Sequence, residues 1–546
     1  MVRAMKVLIV GGVAGGMSAA TRLRRLIDDA EIVVVERSGH VSFANCGLPY
    51  YVGGVIAERD ALLLQTPESL AARFDLDVRV RHEVVGIDTT GHKVEIRDLD
   101  DGRVYRESYD ALVLSPGARP VRPPIPGIER ALTLRDIDDT DKMIAALAAD
   151  VTTATIIGGG FIGVELAENL VRRGLRVTIV EATEQVLGPL DPEMVEPVQQ
   201  RLREHGVQLL LGRTVPAIDA DSVTLDDGSQ VLAQVVVASI GVQPENSLAL
   251  AAGLAVGVGG GILVDEQMRT SAPDVYAVGD AVVKRDAADD TDVLVPLANT
   301  ANRQGRLVAD VIAGQRGADR PVRATAIVGV FGLIAATTGW NEKRLRRAGR
   351  PYRAIHVHPG AHAGYYPGAT TMALKLLVDP HTDAILGAQG VGADGVDKRI
   401  DVIATAMAGG LTACDLADLE LAYAPQFGSA KDPVNMLGFI AENMHRGLVD
   451  TVQWWELADI VAAGARVIDV RTREEFDERP LPGALNIPVD ELRERADELP
   501  AGRLVVSCAA GQRGNTAVRL LTQRGHEAAN LDGGYITWRN SPAAGA

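Results

Sequence analysis

The chain has 546 residues, of which 47% are hydrophobic, 23% charged and only 4% aromatic, and its formal net charge is −17 at neutral pH. That length suits several domains of roughly 150 residues, each with a real core, and the acidic balance excludes nucleic acid or an anionic membrane as partner, since both are met by basic faces. Three cysteines are too few for a disulfide framework, no charged n-region leads into an apolar stretch with a cleavage site, and no apolar run reaches the roughly 18 residues of a membrane span. A cytoplasmic protein with no nucleic-acid or membrane partner is expected.

The first element is an apolar strand, Lys6–Val10, running into Gly11-Gly12-Val13-Ala14-Gly15-Gly16, a helix of small residues from near Met17, and a second strand at 32–35 that ends on Glu36. Strand, glycine turn, helix, strand and acid is the order of a Rossmann unit. The amides of Gly11, Gly12, Ala14, Gly15 and Gly16 can approach a pyrophosphate at the helix N-terminus, and Glu36 can accept from a ribose hydroxyl. Val13 departs from the pattern by standing where the middle glycine belongs. A few residues on lies Ser42-Phe43-Ala44-Asn45-Cys46-Gly47-Leu48-Pro49-Tyr50-Tyr51, with no second cysteine near Cys46. A thiol so placed can exchange electrons with a flavin, but its sulfur partner must come from a substrate.

A second copy follows. A strand at 155–157 leads into Gly158-Gly159-Gly160-Phe161-Ile162-Gly163, a helix from Val164 to about Arg173, and a strand at 177–180 ending on Glu181. Gly158, Gly160 and Gly163 complete the G-x-G-x-x-G fingerprint, with Glu181 as the ribose acid. Glu181 would repel a 2′-phosphate and favour NADH, whereas Arg172, Arg173 and Arg176 soften that preference towards NADPH. Two sites of one kind suggest one flavin and one nicotinamide. Buried strands at 112–114 and 235–238 run into glycine turns carrying Ser115 with Gly117, and Gly241. A third, at 275–278, ends on Gly279-Asp280, where the acid can accept from a ribityl chain.

Together with Cys46, these motifs resemble the pyridine nucleotide-disulfide oxidoreductase superfamily over residues 6 to about 444. The single cysteine removes the dithiol mechanism of the disulfide reductases in that superfamily. The string around it is similar to the S-F-x-x-C-x-x-P-Y context of coenzyme A-disulfide reductases, which implies that Cys46 cycles through a mixed disulfide with coenzyme A. NADH oxidases and peroxidases of the superfamily, whose cysteine cycles to a sulfenic acid, are the alternative. Residues 364–368 and 423–433 resemble the reductases' dimerisation domain. The resemblance implies a homodimer with two tyrosines near the partner's cysteine, here Tyr423 with Tyr365, or with Tyr366 in its place; such a phenol can protonate a departing thiolate. Ser18, Arg22 and Arg25, at helical offsets of four and three, share one face of the first helix that is expected to be exposed. With Ser42, Asn45, Asn302 and Lys431, which match the family, they are expected to bind coenzyme A.

After Gly447 the αβ alternation restarts at Trp454-Trp455-Glu456-Leu457. Buried strands at 467–471 and 504–507, the loop Cys508-Ala509-Ala510-Gly511-Gln512-Arg513 opening a helix at about Asn515, and Leu531-Asp532-Gly533-Gly534-Tyr535 together resemble a rhodanese domain. Loop amides and a helix N-terminus stabilise a thiolate at Cys508, a persulfide carrier by this reading, with Arg513 holding an anionic donor and Asp469 supporting the loop. Arg479-Pro480-Leu481-Pro482 stands where rhodaneses often show G-H-I-P, a departure expected to be structural. Cys414 matches no motif. His356, His358 and His362 sit on a strand and loop with no acid or cysteine close by in sequence, so no metal is expected.

The expected fold is α/β: two Rossmann-like dinucleotide-binding domains, an α+β dimerisation domain and a C-terminal α/β rhodanese domain. The resemblance divides the chain into an FAD-binding domain (1–118 and 250–322), an NAD(P)H-binding domain (119–249), a dimerisation domain (323–446) and the rhodanese domain (447–546). The expected activity is FAD-dependent reduction of coenzyme A disulfide, coenzyme A persulfide or polysulfide by NADH or NADPH, with the rhodanese delivering sulfane sulfur. Besides the oxidase or peroxidase, the other alternative is a redox scaffold in which only the rhodanese turns over.

Overall fold

The computed structural model describes residues 4–147 and 150–545, so the outermost ends of the ranges above and residues 148–149 lie outside it. The chain forms two compact units, Met1–Val186 with Gly206–Ala324, and Leu187–His205 with Thr325–Ala546.

The first unit holds two parallel sheets. One runs in the order Val275–Ala277, Ala111–Leu114, Lys6–Val10, Glu31–Glu36, Asp77–Val80, and the other Gln208–Leu211, Arg176–Glu181, Thr153–Ile157, Val235–Ala238. Their central strands are Val- and Ile-rich and buried on both faces, as parallel strands covered by crossover helices must be. In both sheets the glycine turn lies at the carboxyl end of a central strand, where ligands bind in doubly wound folds. Both helices begin three residues earlier than the sequence suggests, at Ala14–Leu26 and Phe161–Arg172, because Gly15, Gly16 and Gly163 are part of the first turns.

The second unit contains an antiparallel sheet in the order Ala326–Val330, Leu333–Gly339, Ile385–Gly392, Met372–Val378, Arg353–Val357. Helices Val396–Gly409 and Pro433–His445 pack on one apolar face of it, around Leu374, Leu376, Ile400, Ile403 and Leu437. A second sheet, wholly parallel, runs Asp450–Val452, Ala528–Leu531, Leu504–Ser507, Arg466–Asp469, Leu485–Asn486. The helix Pro192–Glu204, which the sequence assigns to the NAD(P)H-binding domain, clusters with this unit. Its buried acids explain why: Asp191 and Glu193 both reach the ammonium of Lys375 on the antiparallel sheet, Asp191 at 2.9 Å, and Glu342 meets the same ammonium at 2.7 Å. Among the described residues no helix is long and apolar enough to cross a membrane.

Candidate functional site

Two glycine turns face the first unit's sites. Gly11 has φ +95°, and a Cβ there would lie 2.1 Å from the Ser115 carbonyl oxygen; a Cβ on Gly16 would lie 1.9 Å from the Gly11 carbonyl oxygen. Strand, turn and helix are thus in backbone contact, and since the Gly11 amide donates to the Val35 carbonyl at 2.9 Å, a phosphate would be met by the amides further on, at the helix N-terminus. Val13 has φ −110°, so the missing middle glycine needs no left-handed backbone and a branched side chain fits. Glu36 accepts from the Gly12 amide at 2.8 Å, fixing the turn against the second strand. The second turn repeats the design, with Gly158 at φ +102°, a Gly163 Cβ position 2.1 Å from the Gly158 carbonyl oxygen, and Glu181 accepting from the Gly159 amide at 2.7 Å. Open space surrounds the Cβ positions of Gly160 and Gly241. Of the arginines near Glu181, Arg172 is paired with Glu168 and Arg173 donates to the Val52 carbonyl, so neither is free to receive a 2′-phosphate.

A dinucleotide fits the first turn by a further observation. Oδ1 of Asp280, in the turn Gly279–Ala281, is buried with no hydrogen-bond partner among the described residues. Burial holds this carboxyl above its usual range, against the lowering effect of Lys284 and Arg135. An acceptor so placed calls for a donor from a ligand. Gly11→Ala combines a left-handed alanine, which costs about 1 kcal/mol, with a carbonyl clash. Its expected result is loss of most bound flavin, read as flavin absorbance per protein, with the fold retained.

Cys46 lies in the short turn Asn45–Gly47 and is exposed by surface area, yet its sulfur is crowded by protein. The loop is anchored to the first turn, since Ser42 donates its amide to the Gly12 carbonyl at 2.8 Å and takes a left-handed φ of 48°. Burial pushes the Cys46 thiol up, and the carboxylates of Glu165 and Asp280 push it further. Asp280 belongs to the first dinucleotide site and Glu165 to the helix after the second turn, so the sulfur sits within electrostatic reach of both. Tyr50, one turn beyond Cys46, donates to Glu165 at 3.0 Å. Glu165, Tyr50, Lys284 and Arg135 were not legible as site residues, because their partners lie far away in sequence. Burial lowers Lys284 to about 8, and its ammonium donates to the Gly279 carbonyl at 2.7 Å.

The helix face expected to be exposed is half covered instead. Ser18 donates to Asn302 at 2.8 Å and Arg22 is ion-paired with Asp310 at 2.8 Å, both partners lying on helix Ala298–Ile312. Arg25 remains exposed, its guanidinium 6.0 Å from the Phe74 ring centre. Ser18 and Asn302 are therefore brought together, while the charge of Arg22 is already matched.

In the second unit the Tyr365 and Tyr423 hydroxyls are 2.8 Å apart, with both side chains exposed. Buried Arg399 brings their loops together, donating to the Ala361 carbonyl at 3.1 Å and pairing with Asp432 at 2.9 Å. The Ala363 amide, which donates to the Gly428 carbonyl at 2.9 Å, adds a backbone tie. Tyr366 meets His362 edge-on instead of joining the pair. Lys431 is exposed next to the buried Asp432.

Cys508 is buried at the end of strand Leu504–Ser507, and its sulfur accepts from the Gly511 amide at 3.1 Å, ahead of helix Gln512–Gln523. Arg513, expected to hold an anionic donor, is already engaged by a carboxylate of the chain. Its guanidinium makes a two-pronged pair with Glu475 at 2.7 and 2.8 Å, which holds that carboxyl down at about 2. Asp469 supports the loop indirectly, through an ion pair of 2.6 Å to Arg471, whose guanidinium lies 4.2 Å from the Tyr535 ring centre. The carbonyl of Arg479, at the departure from G-H-I-P, accepts from Arg471 at 2.8 Å.

Among the described residues, two groups have the spacing to hold a cation. In Asp191, Glu193 and Glu342 the place is taken by Lys375, and in Asp383, Cys414 and His445 the acid is paired with Arg353 at 2.6 Å. The expectation that the 356–362 histidines have no acid close by is overturned in space, because His356 is bonded to both Glu193 and Asp532, 163 and 176 residues away in sequence.

Comparison with known proteins agrees with this arrangement. Residues 5–305 match the pyridine nucleotide-disulphide oxidoreductase family, 325–433 its dimerisation domain and 455–541 the rhodanese-like domain. The coenzyme A disulfide reductase of Staphylococcus aureus strain JH9 is 33% identical over 441 residues, covering 80% of this chain and all of its own. The reduced CoADR-RHD of Bacillus anthracis is 48% identical with a TM-score of 0.97, covering 98% of each chain. The NAD-dependent persulfide reductase of A. fulgidus is 37% identical with a TM-score of 0.92, covering 98% of this chain and all of the other. One thiol within reach of two dinucleotide turns, followed by a second sulfur loop, is thus the framework of a family, and this chain belongs to the pyridine nucleotide-disulphide oxidoreductases, in their coenzyme A-disulfide reductase branch with a fused rhodanese domain.

Proposed function

We propose that this enzyme uses NADH to reduce coenzyme A disulfide and coenzyme A persulfide through Cys46, with polysulfide as a further substrate. The observation that carries the reading is the position of Cys46, within electrostatic reach of Asp280 and of Glu165 and with no other cysteine in its unit. FAD, when bound, supplies the path for an electron pair from the nicotinamide to sulfur. The Cys46 thiolate attacks the disulfide of coenzyme A, forming a mixed disulfide and releasing one coenzyme A thiolate; the electron pair then frees the second. The balance is one NADH and one proton for two coenzyme A thiols, or for one thiol and one hydrogen sulfide when the substrate is the persulfide.

The chain's own groups shape each step. Burial, helped by the carboxylates of Glu165 and Asp280, disfavours a standing Cys46 thiolate, so the thiolate would form as it attacks and the mixed disulfide would be the favoured resting form. The Tyr365–Tyr423 pair is exposed on its own unit. In a homodimer it would serve Cys46 of the partner subunit, giving a proton to the leaving thiolate. Ser18, Ser42, Asn45, Asn302, Arg25 and Lys431 would hold the coenzyme. The engagement of Arg172 and Arg173 elsewhere favours NADH over NADPH. A lone redox thiol suits the reducing cytoplasm. At Cys508, sulfane sulfur would be carried as a persulfide and handed to coenzyme A.

The test is anaerobic NADH consumption with coenzyme A disulfide and coenzyme A persulfide side by side, recording sulfide. Turnover of both, with one sulfide released per persulfide, is expected. Absence of turnover with either, together with oxygen-dependent NADH consumption, would make the enzyme an oxidase.

A further inference from the structure

The loop that carries Cys508 is built from contacts that do not end within its own sheet. The Cys508 carbonyl accepts from the Tyr535 amide at 2.7 Å and the Ala509 carbonyl from the Ile536 amide at 3.0 Å. The helix Gly534–Arg539 therefore grips the loop by its N-terminal turn. The approach is close: a Cβ on Gly534 would lie 2.4 Å from the Cys508 carbonyl oxygen.

That turn is held in turn by strand Arg353–Val357 of the antiparallel sheet. Asp532, two residues before Gly534, accepts from the backbone amide of His356 at 3.1 Å and bonds its ring Nδ1 at 2.6 Å. A Cβ on Gly533 would lie 2.7 Å from the His356 Cβ, so Gly533 packs against the His356 side chain with no room for one of its own. Just past the end of the strand, His358 bonds the Thr537 hydroxyl at 2.7 Å, and within it the Ala354 carbonyl accepts from Gln453 at 3.0 Å. On its other side the His356 ring bonds Glu193 at 3.1 Å. His356, Asp532 and Glu193 are all buried.

We infer that His356 is a positioning residue for sulfur transfer at Cys508: by clamping Asp532 to the antiparallel sheet, it fixes the helix turn that shapes the Cys508 loop. The inference rests on Cys508 being the persulfide carrier. The alternative, that the loop is set by the rhodanese fold alone, leaves unexplained a buried ring bonded at both nitrogens and packed directly against Gly533.

The protonation of His356 gives the clamp a signature. Burial alone would lower this imidazole, but Asp532 and Glu193 raise it to about 9, against the opposing charge of Lys375 on the neighbouring strand. Lys375 is itself faced by Asp191, Glu193 and Glu342, and His358 is held neutral, lowered to about 3 by burial and by His356. Because the folded value is raised, the clamp is complete below the ordinary histidine range and weakens as pH rises through about 9.

The experiment is full-length His356→Gln, assayed for thiosulfate-to-cyanide sulfur transfer from about pH 6 to about pH 10 and for NADH-dependent reduction of coenzyme A disulfide. Hydrogen exchange of the peptide spanning Gly534–Arg539 is measured alongside. We expect sulfur transfer to fall about tenfold or more, as small misplacements of a reacting group do, with disulfide reduction within about twofold of wild type. The wild-type fall in sulfur transfer above about pH 9 should vanish in the variant, and exchange at the Tyr535 and Ile536 amides should quicken. Unchanged transfer, pH profile and exchange would overturn the inference. If both activities fall together, Asp532→Asn decides: selective loss of transfer supports the clamp, while joint loss or no loss rejects it. Should the wild type show no transfer that Cys508→Ser abolishes, the carrier reading fails, and the exchange measurement alone decides whether His356 holds the loop.

Discussion

Cys46→Ser is expected to reduce NADH-dependent turnover of coenzyme A disulfide by about a thousandfold or more, as loss of a covalent nucleophile does, while leaving flavin content and thiosulfate sulfur transfer intact. A serine hydroxyl neither attacks a disulfide nor accepts an electron pair. The remaining cysteines cannot substitute. Cys414 belongs to the second unit, where burial and Asp383 push its thiol up to about 12. Cys508 is buried in its own loop. The measurement is anaerobic NADH oxidation with flavin absorbance recorded on the same sample. Retained turnover in a flavin-loaded variant would mean that substrate sulfur is reduced without a protein thiol, and the relay would have to be abandoned.

Lys375→Met is expected to bring the largest loss of stability. The ammonium is fully buried, with Asp191 at 2.9 Å, Glu342 at 2.7 Å and Glu193 closest of all. Methionine nearly preserves the volume but removes the cation that three buried carboxylates share, leaving Glu193 with His356 and Glu342 with Arg346. Removing one partner of a buried ion pair costs about 3–5 kcal/mol. For a unit of this size that is a fall in melting temperature of roughly 6–20 °C. The sign of the pH dependence separates this from lost packing. In the wild type Lys375 and His356 hold Glu193 well below the usual carboxylate range, although burial opposes them, so that stability is present above the unfolded value and lost only in strong acid. In the variant Glu193 loses the Lys375 charge that opposes its burial and its carboxyl moves up, so the variant should gain on the wild type as pH falls towards about 4. A melting-temperature deficit that does not change with pH would show that the charges do not cause it.

Local signals made much of the framework legible. Gly11 and Gly158 announce a left-handed turn after a strand, and both turns are where the spacing places them. Cys46 and Cys508 stand out because so few cysteines surround them. What could not be read is whatever depends on distant partners. The helix face with Ser18, Arg22 and Arg25 is amphipathic in sequence, yet only packing against Ala298–Ile312 shows that Arg22 is already paired. Arg513 at the end of its loop reads as an anion holder, but its partner, Glu475, lies 38 residues earlier in a helix cap. His356 is the extreme case. Its neighbours along the strand are apolar, and both acids that define it come from other parts of the chain.

The contact between Gly533 and His356 bears on how such a chain came to be joined. A module tethered by a linker can be gained, lost or exchanged while its host keeps the same surface. Here the host's strand Arg353–Val357 offers its amide at His356 and its carbonyl at Ala354 to the appended domain, and both are interior groups. Deleting residues 447–546 would open that strand to water and leave the imidazole without Asp532. The contact is interior to both parts, so a change at His356 or Ala354 would have to be matched at Asp532 or Gln453.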